Sequence, residues 1–228
     1  HFAQLFEVVR LLGVPMALEH VGFGMVLGPD GTPIKTRDGT ALTLASLLDE
    51  AEERAEAKMV EELGLDPALA RELRGAVGIG AVKYADLMQN RTSDYTFDWD
   101  KLIAFKGNAG PYVQYMHARC CSVLRKSGQE PAAIAGPIVL AHEAERALAR
   151  QLAKLPDVVH AAAATSNPHY VAAHLYDLAS RVAAFWEHCP VLDAEPPLRA
   201  SRLALADLGR RQIARGLGLL GIAAPERM

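Results

Sequence analysis

The stretch Lys106-Gly-Asn-Ala-Gly-Pro-Tyr-Val-Gln-Tyr115 divides the chain into two parts of different character. Its glycines and asparagine predict a loop, and Pro111 suits the first turn of a helix because its φ is fixed and its missing N–H is not needed there. Beyond Pro111 apolar residues recur at helical spacing, whereas the preceding part also has short strand-like, Gly-rich stretches. The sequence therefore predicts a mainly α fold in two domains, residues 1–110 and 111–228.

The composition agrees with a helical cytoplasmic protein. Half of the 228 residues are apolar, which is enough for a core, and only 6% are aromatic, which favours helices over sheet. The chain has no run of 18 apolar residues, so we expect no membrane span. The three cysteines lack Cys-x-x-Cys spacing, and the histidines show no metal-ligand cluster, so we predict reduced thiols and no protein-bound metal.

Charge is distributed unevenly between the two parts. Residues 1–112 carry 11 Lys and Arg against 17 Asp and Glu, while residues 113–228 carry 13 against 10, and the excess is almost entirely arginine. Because a guanidinium group binds phosphate oxygens in pairs, this supports a nucleic-acid partner for the second part. Four arginines near the end of the chain are candidates for phosphate contacts or for a solvated surface: Arg202, Arg210, Arg211 and Arg215.

Local patterns predict several element boundaries. Thr43 is a good N-cap for a helix that Gly64 would end. We also predict a helix at Phe2–Leu12, a strand-like stretch at 16–27, a helix at 76–88 and an extended piece at 95–99. In the second part, Ile138 and Ala141 fit the apolar stripe of a helix that continues through Leu148, Leu152 and Leu155, and Asn167-Pro168 would open the next helix.

The most informative loop for chemistry lies within Gly24-Met-Val-Leu-Gly-Pro-Asp-Gly-Thr-Pro-Ile-Lys-Thr-Arg-Asp-Gly39. A short apolar stretch is followed by a turn and then by Lys35, Thr36 and Arg37. Two cations and a hydroxyl on a Gly-flanked loop are suited to a triphosphate, because they place positive charge where negative charge moves. The same residues also occur on ordinary surface loops, so the neighbouring motifs matter.

Three neighbouring strings carry a family resemblance. They are His20-Val-Gly-Phe-Gly-Met25, Val77-Gly-Ile-Gly-Ala-Val-Lys-Tyr-Ala-Asp-Leu87 and the segment Gly107–Tyr115 quoted above. In this order, with the Lys35 loop between the first and second, the whole chain resembles the C-terminal part of an arginyl-tRNA synthetase of class I. The resemblance implies the remnant of a class I α/β nucleotide-binding domain, followed by an all-helical anticodon-binding bundle of the DALR type.

The resemblance also implies roles in ATP chemistry. Lys35, Thr36 and Arg37 resemble the degenerate KMSKS loop of arginyl enzymes, with Arg37 where the usual motif has its second lysine. The strand that lies beside the ATP base and ribose in the family matches His20, Gly22, Phe23, Gly24 and Met25. Their alternative is a structural strand with a core histidine. The implied substrates are arginine and ATP with Mg²⁺, as in the full-length family members.

A second set of residues is predicted to contact tRNA(Arg). Tyr112, Tyr115 and Arg119 fall along one helix face, where two aromatic rings and a guanidinium could stack on unpaired bases. The resemblance adds Gln114, Trp186 and Met228 to the same anticodon pocket. Without the resemblance, tyrosine and tryptophan on helices are more often core residues.

The His-x-Gly-His signature of class I synthetases is absent from these 228 residues. The chain starts on His1 within a helical pattern, so we expect a C-terminal piece of an arginine–tRNA ligase that is inactive alone and monomeric. The alternatives are a freestanding, non-catalytic tRNA-binding module and a helical scaffold without RNA affinity.

Overall fold

The computed structural model describes residues 1–28, 30–32, 43–129 and 137–228. Within these ranges the chain is mainly helical, which confirms the predicted fold class. The described elements, in order, are α1 (Phe2–Leu11), β1 (Val26–Leu27), α2 (Leu44–Leu63), α3 (Pro67–Leu87), β2 (Tyr95–Thr96), α4 (Trp99–Leu102), α5 (Gly110–Ser127), α6 (Glu143–Ala153), α7 (Leu155–Thr165), α8 (His169–His188) and α9 (Pro196–Leu219).

Local cap signals define the clearest boundaries. The Thr43 side chain accepts a hydrogen bond from the Ser46 N–H, and Gly64 ends α2 at φ 63°, both as predicted. The start predicted for α3 at residue 76 is wrong, because the Asp66 side chain accepts from the N–H groups of Ala68 and Leu69 and the helix begins at Pro67. Proline in a first turn is compatible with a helix, so the Asp-Pro pair was itself a start signal.

Four other predicted boundaries also differ. Ile138 and Ala141 precede α6, whose N-cap is His142, so the predicted stripe is wrong at its start, and Leu155 belongs to the separate helix α7. Helix α8 begins at His169, one residue after Pro168. The strand-like stretch at 16–27 forms regular strand only at β1, which pairs in parallel with β2.

Two hydrophobic clusters organise the described residues. The larger one lies among α5, α6, α8 and α9 and contains Leu175, Leu178, Phe185, Leu203 and Ile213, all fully buried. The smaller one joins α2, α3 and α4. Tyr84 of α3 belongs to the larger cluster, with its hydroxyl 2.9 Å from the Ala172 carbonyl oxygen and 2.8 Å from Asn108 Oδ1, so it connects the two halves.

Helices α2 and α3 approach each other at backbone distance. A Cβ atom at Gly78 would lie 2.5 Å from the Ala51 carbonyl oxygen, closer than real Cβ contacts. At Gly75, one turn earlier on the same helix, the nearest atom would be the flexible Glu52 carboxylate at 3.4 Å. The crossing therefore requires a glycine at 78 but not at 75.

We predict that Gly78→Ala lowers the free energy of unfolding by roughly 1–3 kcal/mol, because the added methyl group forces the two backbones apart. Gly75→Ala is the matched control and should leave stability unchanged or raise it by up to about 1 kcal/mol, since alanine favours the helix. Urea denaturation of both variants measures the difference. Equal stability of the two variants would contradict the described α2–α3 crossing.

Candidate nucleic-acid interface

Helix α5 carries most of the residues predicted to contact RNA. It starts after Ala109, has Pro111 in its first turn and ends at Gly128, which has φ 70°. One side of the helix is buried in the bundle through Val113, Met116 and Cys120. Along the adjacent side Tyr112 and Tyr115 are half-buried and Arg119 is exposed, so this side remains open to a ligand.

Arg119 brings two of the predicted aromatic residues together. Its guanidinium carbon lies 4.9 Å from the centre of the Trp186 ring on α8 and 5.7 Å from the centre of the Tyr115 ring. At these distances the cation is attracted by the electron-rich faces of both rings. The Trp186 Nε1 is buried without a hydrogen-bond partner in the described structure. Burying an unpaired donor costs free energy, and a ligand that offered an acceptor to this N–H would remove that cost.

Tyr112 extends this aromatic surface by one turn of α5 beyond Tyr115. Its ring centre lies 6.1 Å from that of Tyr176 on α8, a residue that the sequence patterns did not single out. Partial burial raises the pKa of the Tyr112 hydroxyl, so this group stays protonated and can donate a hydrogen bond at neutral pH. We call Tyr112, Tyr115, Arg119, Tyr176 and Trp186 the aromatic face.

Gln114 lies away from the aromatic face. Its side chain is fully buried, and its Nε2 donates to the carbonyl oxygens of Ala76 at 2.9 Å and Ala223 at 2.8 Å. Both amide hydrogens are therefore used within the protein. The predicted contact between Gln114 and RNA does not fit this burial, and Gln114 instead joins α5 to α3 and to the last residues of the chain.

Met228 is the last of the residues predicted to contact RNA. It packs, half-buried, against the smaller hydrophobic cluster, to which Tyr115 also packs. Phe105 of that cluster meets Tyr115 edge to face with 6.5 Å between ring centres. Tyr115 therefore packs against the same cluster as Met228 and also lies under Arg119 of the aromatic face.

The arginines of α9 divide into two groups. Arg202 is buried, and its Nε donates to Glu145 Oε1 at 2.7 Å, so neither predicted role on the surface is available to it. Arg210 and Arg211 both pair with Asp207, at 2.7 Å and 2.9 Å. Arg215 is exposed, like Arg119 of α5, and within the described ranges neither forms an ion pair with a carboxylate.

The segment predicted to lie beside ATP is exposed for most of its length. Phe23 is 84% and Met25 52% exposed, and the exposed His20 ring stacks on Phe2 at 4.1 Å between centres. A Cβ atom at Gly24 would lie 2.2 Å from the Ser93 carbonyl oxygen. Because Gly24 has no side chain, the backbone at residues 93–94 can pack directly against the backbone of Gly24.

Arg91 joins this segment to the helical bundle and was missed by the sequence patterns. Its carbonyl oxygen accepts from the Gly24 N–H at 2.7 Å, and its guanidinium donates to the carbonyl oxygens of Gly22 and Ser166. Gly22 is thereby fixed through its backbone. A lone arginine in a polar turn gives no sequence signal for contacts with residues so distant in the chain.

The remaining predicted catalytic residues are Lys35, Thr36 and Arg37, which lie outside the described residues. Within the described ranges, the structure shows no group of three or more His, Cys, Asp or Glu side chains placed to hold a metal ion. In the same ranges, none of the helices combines the length and apolar character that a membrane span requires.

Two family matches account for most of the chain. Residues 1–99 match the catalytic domain of class I tRNA synthetases (R), and residues 113–228 match the DALR anticodon binding domain. The second match alone covers more than half of the sequence. The aromatic face and Met228 therefore lie largely within the part that matches an anticodon-binding family.

Similar proteins agree with these matches. The arginine–tRNA ligase of Chromobacterium violaceum is 47% identical over the whole of this chain, which corresponds to 40% of the relative. The solved arginyl-tRNA synthetase of Thermus thermophilus superimposes with a TM-score of 0.81 at 34% identity, covering 92% of this chain and 35% of that one. The enzyme of Plasmodium falciparum gives a TM-score of 0.79 at 28% identity, covering 100% of this chain and 39% of that one.

The chain thus spans about two fifths of the length of the curated relatives it matches. The two family matches follow the order of the synthetase, catalytic part first and anticodon-binding part second. The sequence resemblance, the domain order and the similarity in three dimensions agree, and the chain belongs to the arginyl-tRNA synthetase family.

Proposed function

We propose that this chain provides the end of the catalytic domain and the anticodon-binding domain of an arginine–tRNA ligase. The whole enzyme would activate arginine with ATP and Mg²⁺ and attach it to tRNA(Arg) in the cytoplasm. The single observation that carries the proposal is the aromatic face, where Arg119 lies over both Tyr115 and Trp186 within the DALR match.

The chemistry of the aromatic face suits unpaired nucleotides. The rings of Tyr112, Tyr115 and Trp186 offer stacking surfaces, and base–aromatic stacking tolerates every base because each has a π face. The exposed Arg119 supplies positive charge for a phosphate or a planar contact for a base. An anticodon loop presents unpaired bases together with phosphates, so it matches both features.

The proposed boundary between the two domains lies at residues 110 and 111. It is supported by the two hydrophobic clusters, since the smaller one involves residues 51–105 and the larger one is drawn from residues 113–222 with the addition of Tyr84. We propose that residues 1–110 deliver the catalytic loop and residues 111–228 hold the anticodon. We also propose that the protein is monomeric.

In the catalytic part, Lys35 and Arg37 would neutralise the phosphates as pyrophosphate leaves, and Thr36 would donate a hydrogen bond. His20, Gly22, Phe23, Gly24 and Met25 would border the nucleotide. The exposed side chains of Phe23 and Met25 support this assignment, because they leave an uncovered surface that a ring could contact. Bound Mg²⁺ would compensate phosphate charge together with these cations.

We predict that Tyr115→Ala weakens binding of the anticodon stem-loop of an arginine-accepting tRNA about tenfold, because one stacked base is worth roughly 1–3 kcal/mol. Titration at fixed salt with the 228-residue chain measures the dissociation constant. Tyr170→Ala is the matched control, since Tyr170 is an exposed tyrosine of α8 outside the aromatic face. Equal affinities of wild type and Tyr115→Ala would contradict the proposed interface.

We predict that Lys35→Ala and Arg37→Ala, in an arginine–tRNA ligase that contains this chain, lower kcat for arginine activation by on the order of 100-fold with little change in KM for arginine. Charges that meet the phosphates mainly in the transition state act on kcat. Pyrophosphate exchange in the presence of tRNA measures both constants. A change confined to KM for arginine would mean that this loop has another role.

We predict that the 228 residues alone catalyse no arginine-dependent pyrophosphate exchange, since they lack the His-x-Gly-His signature. The assay compares the chain with its Lys35→Ala variant at equal concentration. Exchange above that variant would show that the chain is catalytic by itself. Absence of exchange together with stem-loop binding fits both a piece of the ligase and a freestanding binding module.

A further inference from the structure

The residues after α9 form a segment without helix or strand, and its carbonyl groups are hydrogen-bonded mainly by side chains. We call Gly221–Met228 the strap. It starts where Gly221 turns the chain with φ 67°, and Ile222 donates its N–H back to the Leu217 carbonyl oxygen at 2.9 Å. Beyond this point the strap belongs to neither helix nor strand, so its carbonyl groups need other partners.

Four side chains from two helices supply those partners. Lys83 Nζ donates to the Gly221 oxygen at 2.7 Å, and Gln114 Nε2 donates to the Ala223 oxygen at 2.8 Å. Further along, His117 Nδ1 donates to the Pro225 oxygen at 2.9 Å, and Arg125 Nη1 donates to the Glu226 oxygen at 3.0 Å. The contacts follow α5 from its second turn to its last.

Two of these donors, Gln114 and His117, are buried. A glycine on α3 makes room for the Gln114 side chain and for the start of the strap. A Cβ atom at Gly80 would lie 2.9 Å from Gln114 Nε2 and 3.1 Å from Ile222 Cγ2, so glycine at 80 leaves room for both. His117 is only 2% exposed, and burial lowers its pKa, so the neutral ring donates through Nδ1. Polar side chains buried in this way carry a specific structural role.

The strap ends at Met228, which packs against the same small cluster as Tyr115. We propose that Lys83, Gln114, His117 and Arg125 are positioning residues for tRNA binding, which hold the strap so that Met228 completes the anticodon pocket beside Tyr115. The inference rests on the proposed function and goes beyond it, because it gives Lys83, Gln114, His117 and Arg125 an indirect role in RNA binding, through the position of Met228.

Two substitutions of His117 test the proposal, because one removes the hydrogen-bond donor and the other keeps it. His117→Phe keeps a ring of similar size but removes the donor, whereas His117→Asn keeps a donor near the position of Nδ1. We expect His117→Phe to weaken binding of the anticodon stem-loop of an arginine-accepting tRNA about fivefold. This change corresponds to the net free energy of about one hydrogen bond. His117→Asn should bind nearly as wild type.

A double-mutant cycle separates positioning from general stability. If His117 acts through the strap, Met228→Ala weakens binding in the wild-type background but adds little in the His117→Phe background. Equal effects of Met228→Ala in both backgrounds would overturn the proposal. Wild-type affinity of His117→Phe would overturn it as well.

The cysteines report the state of the strap independently of RNA. Cys121 is 5% exposed and lines a cavity of about 350 Å³ together with Arg125 and Glu226, whereas Cys120 and Cys189 are fully buried. Release of the strap should speed labelling of Cys121 by a thiol reagent severalfold and leave the other two protected. Labelling of all three cysteines would indicate an unfolded variant.

Arg125→Met provides the test if His117→Phe does not fold, because Arg125 is exposed at the end of α5. Loss of a nearby positive charge raises the pKa of the Cys121 thiol and by itself slows labelling, so faster labelling of this variant would indicate that the strap, with Glu226, has moved away from Cys121. Arg125→Lys should restore slow labelling. Lys126→Met removes the neighbouring charge, which makes no hydrogen bond to the strap, and should label as wild type.

The proposed function and this inference fail in different ways. A wild-type chain that does not bind the stem-loop would overturn the proposed function and with it the role of the strap in binding. A wild-type chain that binds, combined with an Arg125→Met or His117→Phe variant that releases Cys121 and binds equally well, would overturn this inference alone.

Discussion

The aromatic face depends on how closely α3 approaches α5. A Cβ atom at Gly110 would lie 2.8 Å from Tyr84 Cβ and 3.2 Å from the Gly80 carbonyl oxygen, so the two helices meet at backbone distance near the start of α5. Gln114 then bridges them by donating to the Ala76 carbonyl oxygen. These contacts fix the rotation of α5 about its axis, and this rotation decides which side chains are buried and which face outward.

With α5 fixed in this way, two neighbouring faces of one helix have different tasks. The face that contains Gln114, His117 and Arg125 holds the strap through hydrogen bonds to its carbonyl groups. The face that contains Tyr112, Tyr115 and Arg119 stays open, with Trp186 of α8 beside it. The arrangement of an arginine over two aromatic rings is stabilised before any ligand binds, so less side-chain entropy is lost on binding.

Sequence patterns predicted the features that depend on neighbouring residues. They did not predict the burial or the partners of side chains whose contacts come from distant parts of the chain. Thr43 and Gly64 bound α2 through contacts within a few residues, so their pattern was sufficient. Gln114 and Tyr115 are adjacent in sequence, yet the burial of Gln114 depends on Ala223, which is 109 positions away. Arg202 looked like a surface cation, but it pairs with Glu145, which is 57 positions away. Likewise, nothing local indicated that Tyr176 would face Tyr112.

The central claim, that the aromatic face binds the anticodon, is tested most directly by the fluorescence of Trp186. The chain has two tryptophans, and Trp99 lies in the other cluster beside Arg54 and Phe97, so Trp99→Phe leaves Trp186 as the only reporter. We expect the anticodon stem-loop of an arginine-accepting tRNA to quench the Trp186 fluorescence saturably, because a stacked base would lie against the Tyr115–Arg119–Trp186 group. A stem-loop that binds without changing Trp186 emission, while quenching Trp99 in a Trp186→Phe chain, would contradict the account.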